Sequence, residues 1–331
     1  MMASGPRMSV VICTRNRAPL LQRTLESLAA QTLDRSAFEV IVVDDGSTDH
    51  TREAVAPISA DLGVRYAYQR HAGLASGKNH GLFLSRGTLV LFQDDDDLAT
   101  PTLLEEHLRA HDAHPEPHVA VLGYTRLDPS LEDDPLMHFI TEVGCFLFAY
   151  PGIADGAVLD FEYFWGGRTS CKRAFLLDRG VFNHVFRFGC EDIELGYRLS
   201  AYGLRVAYNA RAVSVMVRGV TFEEFCDRLV RQGRSNFVFG RLHDDPRVQQ
   251  WTRVAGSDER WRATAGAHDS ILASARRLDA MARRKRELGF ALDPLDVHCL
   301  HEAYRRAFDL CTLKGISEAR AQTMRAPSVI P

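Results

Sequence analysis

Four consecutive carboxylates, Asp94 to Asp97, follow the apolar run Thr88-Leu89-Val90-Leu91-Phe92 and Gln93. The run reads as a buried strand bounded by Gly87. Adjacent carboxylates at a strand end repel one another unless a cation sits among them. Hard divalent ions such as Mg2+ take oxygen ligands and commonly share them with phosphate. Standing alone, an acidic run is more often a solvated patch. A second acidic pair lies in Val42-Val43-Asp44-Asp45-Gly46-Ser47-Thr48-Asp49. Carboxylates placed like Asp44 and Asp45 can accept hydrogen bonds from a nucleobase N–H or from ribose hydroxyls, whereas Asp49 reads as a helix cap.

The first half of the chain has a pattern that would gather these groups. Met8 to Cys13 is a β-branched run, and Pro19 opens a helix with Leu21, Leu25 and Leu28 on one face. Phe38 to Val43 is a second strand, followed by a helix from Ser47 or Thr48, either of which suits an N-cap. Val64 to Tyr68 is a third strand, and a helix from about Ala75 carries Leu82 and Leu84. The fourth strand ends in the aspartate run, Pro101 opens the next helix, and Val119 to Gly123 is a fifth strand. Alternation with short joints predicts an α/β fold with a parallel, doubly wound sheet. Ligands of such sheets lie outside the carboxyl ends of the strands, where Thr14 to Asn16, Asp44-Asp45-Gly46 and Asp94 to Asp97 all fall.

Pro129 to Gly156, rich in Pro, Gly, acidic and aromatic residues, reads as strands and loops over the substrate edge. A helix from Lys172, a helix from Glu191 to near Gly203 and a strand from Leu204 to Tyr208 come next. Beyond Asp244 the Ala- and Arg-rich pattern reads as an all-α tail, which divides the chain into 1–243 and 244–331. In that tail Arg276-Arg277 and Arg283-Arg284-Lys285-Arg286 flank Leu278, Met281 and Ala282. The helix suits packing on the main domain or a second subunit, and leaves contact with an anionic membrane surface open. Leu295, Leu300, Tyr304, Phe308 and Leu313 form another apolar stripe.

Composition narrows the class. With 46% hydrophobic and 25% charged residues in 331, the chain is globular. A net charge of -3 gives no basic surface for a nucleic acid. No apolar run approaches the ~20 residues of a membrane span, and no secretory signal is visible. Seven scattered cysteines without C-x-x-C spacing suit reduced thiols in a cytoplasmic setting.

The motifs Asp44-Asp45-Gly46-Ser47-Thr48-Asp49, Lys78-Asn79-x-Gly81, Asp94-x-Asp96-Asp97 and Gly189-Cys190-Glu191-Asp192-x-Glu194-Leu195-Gly196-Tyr197-Arg198 occur in that order. Together they resemble the family 2 glycosyltransferases of GT-A fold, over roughly Met8 to His243. The resemblance implies a mostly parallel GT-A sheet, a nucleotide-sugar donor (usually a UDP-sugar) and Mg2+ or Mn2+ at the Asp-x-Asp motif. It places Asp94 at the ribose and, with Asp96, in the metal set, and Asp95 at the donor site or supporting the turn. Thr14 and Arg15 fall against the base, and Lys78 against the base or a phosphate. Asp192 becomes the base that takes the acceptor's proton in an inverting transfer, with Glu191 orienting it or binding acceptor. Read alone, both acids simply favour a helix N-terminus. Trp165 suits stacking on a sugar, and Gly166 and Gly167 suit close approach of the acceptor.

Two features depart from the family pattern. The stretch Val213-Ser214-Val215-Met216-Val217-Arg218 lacks the histidine that many relatives use to complete the metal site, leaving water or a later residue such as His243. The Gln-x-x-Arg-Trp motif and membrane helices of processive relatives are also missing, which favours single-sugar transfer; Arg228 and Arg231 stand in that region. The rival readings are a nucleotide-sugar-binding protein without turnover and a nucleotidyltransferase.

Overall fold

The computed structural model describes residues 5–325. By its contacts the chain forms two compact units. One runs up to Asp128 and includes Gly152–Arg218; the other comprises Pro129–Pro151 and everything from Gly219 onward.

The first unit is built on a nine-stranded mixed sheet. Strand β1 (Met8–Thr14) pairs in parallel with β2 (Phe38–Asp45), and β2 with β3 (Arg65–Gln69). Helices α1 (Ala18–Ala29), α2 (Thr51–Leu62) and α3 (Leu74–Leu84) make the crossovers. β4 (Leu89–Gln93) lies parallel on the other side of β1. Every residue of β2 and β4 is buried, as expected for strands covered on both faces. Leu21, Leu25 and Leu28 of α1 are wholly buried against Val10, Ile12 and Val40. Gly81 explains how closely α3 approaches: a Cβ there would stand 2.2 Å from Val11 Cγ1.

Past β4 the sheet turns mixed. The chain makes β5 (Asp97–Ala99), α4 (Leu103–Ala113) and β6 (Val119–Leu127), then leaves the unit through α5 (Pro129–Glu132) and α6 (Pro135–His138). It returns through β7 (Val158–Leu159), β8 (Thr169–Lys172), α7 (Arg173–Arg179), α8 (Glu191–Ser200) and β9 (Arg205–Met216). β8 inserts antiparallel between β4 and β6, while β9 runs parallel to β6 and antiparallel to β5 and β7.

Several boundaries differ from the sequence reading. β5 was hidden inside the acidic run, and β9 extends to Met216 because its second half pairs with β5 and β6 after a bulge at Gly123/Tyr124. Helix α2 begins at Thr51, so neither Ser47 nor Thr48 caps it. Asp49 instead accepts from the Thr51 and Ala18 amides, tying α2 to the start of α1.

The second unit is helical: α9 (Phe222–Leu242), α10 (Pro246–Thr252), α11 (Ser257–Thr264), α12 (His268–Glu287) and α13 (Pro294–Arg325). A capping box of Thr221 and Glu224 starts α9. Gly233 and Gly315 bring α9 and α13 into backbone contact; a Cβ on either would meet a facing carbonyl oxygen at 2.1 or 2.0 Å. Residues 129–151 belong here, not among strands over a substrate edge: Phe139 packs on Phe146, Tyr304 and Phe308. The compact division therefore falls at 218/219, ahead of α9, rather than at 243. Leu300, Tyr304, Phe308 and Leu313 are buried, but Leu295 is exposed. The basic residues of α12 are largely paired, Arg276 with Glu223, Arg283 with Asp134 and Asp279, Lys285 with Asp296 and Arg286 with Asp133. No helix among the described residues is long and apolar enough to cross a membrane.

Candidate functional site

Register sets the site. Thr14 lies opposite Asp44 across β1 and β2, Asp45 opposite Gln69 across β2 and β3, and Ile12 opposite Gln93 across β1 and β4. The carboxyl ends of three parallel strands thus present Thr14, Asp44-Asp45 and Asp94 to Asp97 on one edge. The loop leading into β8 adds a fourth segment, since the Asp94 amide donates to the Gly167 carbonyl at 3.2 Å.

The cation demanded by the aspartate run comes from the protein as two guanidinium groups. Arg17 donates to Asp95 Oδ1 at 2.7 Å and Asp96 Oδ2 at 3.2 Å. Arg168 donates to Asp94 Oδ2 at 3.0 Å, Asp97 Oδ2 at 3.2 Å and, through Nε, Thr125 Oγ1 at 2.9 Å. Thr14 donates to Asp95 Oδ2 at 2.7 Å. Burial, with the neighbouring carboxylates, raises Asp95 to about 6 and Asp97 to about 7, against the opposing pull of Arg17 and Arg168 respectively. Asp96 is raised as well, by burial and then by Asp94.

The opposite wall is the start of α8. Gly189 and Cys190 both take positive φ, 72° and 65°. For cysteine that conformation costs about 1 kcal/mol, and it turns the chain so that Glu191 and Asp192 open the helix. Asp192 Oδ2 accepts from the Gly166 amide at 2.8 Å. Glu191 is buried and accepts from Lys78 Nζ at 2.9 Å. The two walls meet across the glycine pair. A Cβ on Gly167 would stand 2.1 Å from Asp94 Oδ2, and one on Gly166 would stand 3.0 Å from Asp192 Cβ and 2.5 Å from Lys78 Nζ.

The sequence model of the family described as "Glycosyl transferase family 2" matches residues 9–186, more than half of the chain. The chain belongs to the family 2 glycosyltransferases. It is 34% identical over 258 residues to the validoxylamine A glucosyltransferase of Streptomyces hygroscopicus subsp. jinggangensis, covering 69% of this chain and 61% of that protein. An uncharacterized glycosyltransferase of Bacillus subtilis, YfnE, is 28% identical over 252 residues, covering 62% of this chain and 64% of that protein. The chain thus spans about three fifths of the length of these curated relatives. The fold is that of the mannosyltransferase PcManGT from Pyrobaculum calidifontis, solved with GDP-Man and Mn2+ (TM-score 0.59, 20% identity, covering 98% of this chain and 89% of that one). Staphylococcus aureus TarS 1-349, solved with UDP-GlcNAc, is also similar (TM-score 0.53, 18% identity, 96% and 92%).

Within this family 2 chain the expected residues divide by what their atoms already hold. Asp94, with a side chain 36% exposed, stands at the open edge beside Asp96. Asp44 accepts from the Ser47 amide and the Tyr66 hydroxyl, one donor per oxygen, which leaves lone pairs for a ligand. Asp45 is different. Its oxygens take Gln69, His71 and the Ala72 and Gly73 amides, which fills both and holds its carboxyl below the usual range although burial opposes this. It organises the β3–α3 loop. Thr14 donates to Asp95, so the two face each other. Arg15 is exposed at the end of β1. Lys78 lies buried within α3, with its ammonium turned to Glu191. Trp165 is half-buried, with its indole N–H on the Glu162 carbonyl. Gly166 stands against Asp192 and Gly167 against Asp94. His243 lies in the helical unit with its ring edge-on to Phe239.

Sequence reasoning missed Arg17 and Arg168. Its own argument required a cation among four carboxylates, but nothing in local spacing says that residues 17 and 168 converge on 94–97. Two residues of the Lys78-Asn79-x-Gly81 motif shape the fold: Asn79 donates to and accepts from the Phe182 backbone, and Gly81 seats α3 on β1.

Proposed function

We propose that this chain transfers a sugar from a nucleotide-sugar donor, a UDP-sugar by preference, to an acceptor hydroxyl with inversion, using the sheet-based unit as donor-binding and catalytic domain. The observation that carries this reading is the glycine pair with Asp94 on one side and Asp192 on the other. A donor lying along the strand edge would present its anomeric carbon to the wall that holds Asp192. The carboxylate of Asp192, oriented by the Gly166 amide, takes the acceptor's proton as the oxygen attacks the anomeric carbon. The bond to the diphosphate oxygen breaks, and the nucleoside diphosphate leaves with the bonding electrons. The Asp44 oxygens suit ribose or base, and Trp165 offers an aromatic face to the acceptor. The relatives support the donor class, since PcManGT holds GDP-Man and TarS holds UDP-GlcNAc.

A divalent ion fits the aspartate edge. Asp96 Oδ1 accepts from no donor among the described residues. No three His, Cys, Asp or Glu side chains converge there as a ready cage among those residues. That suits an ion held by one or two carboxylates and completed by substrate phosphates, with Asp96 and Asp94 as the protein ligands. When bound, Mg2+ or Mn2+ would supply Lewis-acid stabilisation of the departing diphosphate. No disulfide joins the cysteines among the described residues, in keeping with a reducing compartment.

The test is diphosphate release from UDP-glucose, UDP-N-acetylglucosamine and GDP-mannose with Mn2+, with and without Asp192→Asn. Release that falls by at least about 10²-fold in the variant while UDP still binds supports the reading. Binding without release across the panel would make the chain a nucleotide-sugar-binding protein. Pyrophosphate release from nucleoside triphosphates would make it a nucleotidyltransferase.

A further inference from the structure

The proposed chemistry leaves one buried pair without a task. Lys78 is 4% exposed and Glu191 3%. The Lys78 ammonium is 2.9 Å from Glu191 Oε1 and 5.3 Å from the centre of the Phe182 ring. Glu191 Oε2 has no hydrogen-bond partner. Among the described residues Lys78 supplies the side-chain hydrogen bond to this carboxylate. A buried charge is tolerated only when paired, and removing either member strands the other. The pair spans 113 positions of sequence and joins α3 to the first turn of α8. Its lysine end touches the site itself, since the same Cβ built on Gly166 would crowd both Lys78 Nζ and Asp192 Cβ.

The charges facing Asp192 come from three elements. Glu191 lies beside it on α8, Lys78 reaches in from α3, and Asp94, at the end of β4, acts on the same ammonium. The Gly166 amide adds a neutral donor. Burial alone would lower the lysine value, but Glu191, Asp192 and Asp94 hold it above the ordinary one, so the ammonium stays charged.

We propose that Lys78 is a positioning residue for the base rather than a nucleotide contact: locked to Glu191, its ammonium fixes the first turn of α8 and sets a positive charge beside the Asp192 carboxylate. The proposal rests on Asp192 being the base. It also gives Glu191 its task, as the anchor that holds the cation at the right depth.

Two variants and one direct readout test it. Asp192 is titrated by 13C NMR of its carboxyl carbon in wild type, Lys78→Met and Glu191→Gln, in the presence of UDP. UDP affinity and circular dichroism are recorded in parallel. Lys78→Met is expected to raise the Asp192 midpoint by about a pH unit or more, since it removes a nearby cation. Glu191→Gln is expected to lower it, because the ammonium is no longer shared. UDP affinity should hold in both. An unmoved Asp192 midpoint in both folded variants would reduce the pair to a structural clamp. Loss of UDP affinity in Lys78→Met with the midpoint unmoved would make Lys78 a nucleotide contact. Should Lys78→Met fail to fold, Glu191→Gln decides alone: a lowered midpoint supports the proposal, an unchanged one overturns it. Failure of the base assignment would show separately, as wild-type diphosphate release by Asp192→Asn.

Discussion

Asp44 and Asp45 are neighbours on one strand, yet pleating sends their side chains to opposite faces and into different work. Asp44 meets two donors and keeps lone pairs; Asp45 meets four and keeps none. In Asp45→Asn an amide NH2 would replace an oxygen that now accepts two N–H groups. One cluster of donors would then face another donor. The expected cost is about 2–3 kcal/mol of stability, read as a lower urea midpoint, with the β3–α3 loop loosened. A variant as stable as wild type would mean that the loop does not depend on this carboxylate. Residue type and strand-end position were legible for both aspartates. The number of donors around each was not, because His71, Ala72 and Gly73 belong to a loop whose path only the tertiary fold defines. The same limit hid Arg17 and Arg168, whose charge was required by the aspartates but whose identity was set by topology.

At the level of elements, the apolar faces of α1 and α4 and the buried strands were plain in the pattern, because burial on one face writes a period into the sequence. α4 also carries a polar feature that periodicity cannot price. His107 and His111, one turn apart, both reach the Ser170 hydroxyl on β8 at 2.8 Å. Burial depresses His107 to about 3 and His111, with help from Lys172, to about 2. Their neutral forms fit the fold and their charged forms do not. A folded value below the unfolded one means the unfolded chain binds more protons. The stability these histidines contribute is thus complete above about pH 6.5 and is lost as pH falls toward their folded values, at about 1.4 kcal/mol per pH unit for each. Asp95 and Asp97, raised in the fold, act in the opposite direction over part of that window. A comparison therefore isolates the effect better than an absolute slope. His111→Leu should lose less stability than wild type between pH 6.5 and 5, by about 2 kcal/mol, in urea titrations at fixed ionic strength. Parallel curves would show that the buried imidazole is not what acid disrupts.

The whole molecule divides differently from its sequence because composition marks the helical tail but not the segment that joins it from far upstream. Residues 129–151 are rich in Pro and acids, which suits loops, and their helices are too short to show a period. Their aromatic residues carried the missing information. Phe139 is wholly buried, with its ring centre 5.2 Å from that of Tyr304, 6.1 Å from Phe308 and 5.0 Å from His301. Phe146 adds an edge contact to Phe308 at 5.3 Å. Phe222 and Phe225 of α9 close on the same Phe308. Deep burial among aromatic rings makes Phe139 a core residue of the helical unit. Phe139→Ala should therefore cost about 3–5 kcal/mol, far more than a substitution in a solvated loop, which is usually within about 0.5 kcal/mol. The loss should appear as an earlier fall of the helical circular dichroism signal in urea. UDP affinity offers the contrast: the residues proposed to bind the nucleotide lie on the sheet edge of the other unit, so below the new midpoint the variant should bind UDP as wild type does. A cost under about 1 kcal/mol would return residues 129–151 to the surface loops that their composition suggests.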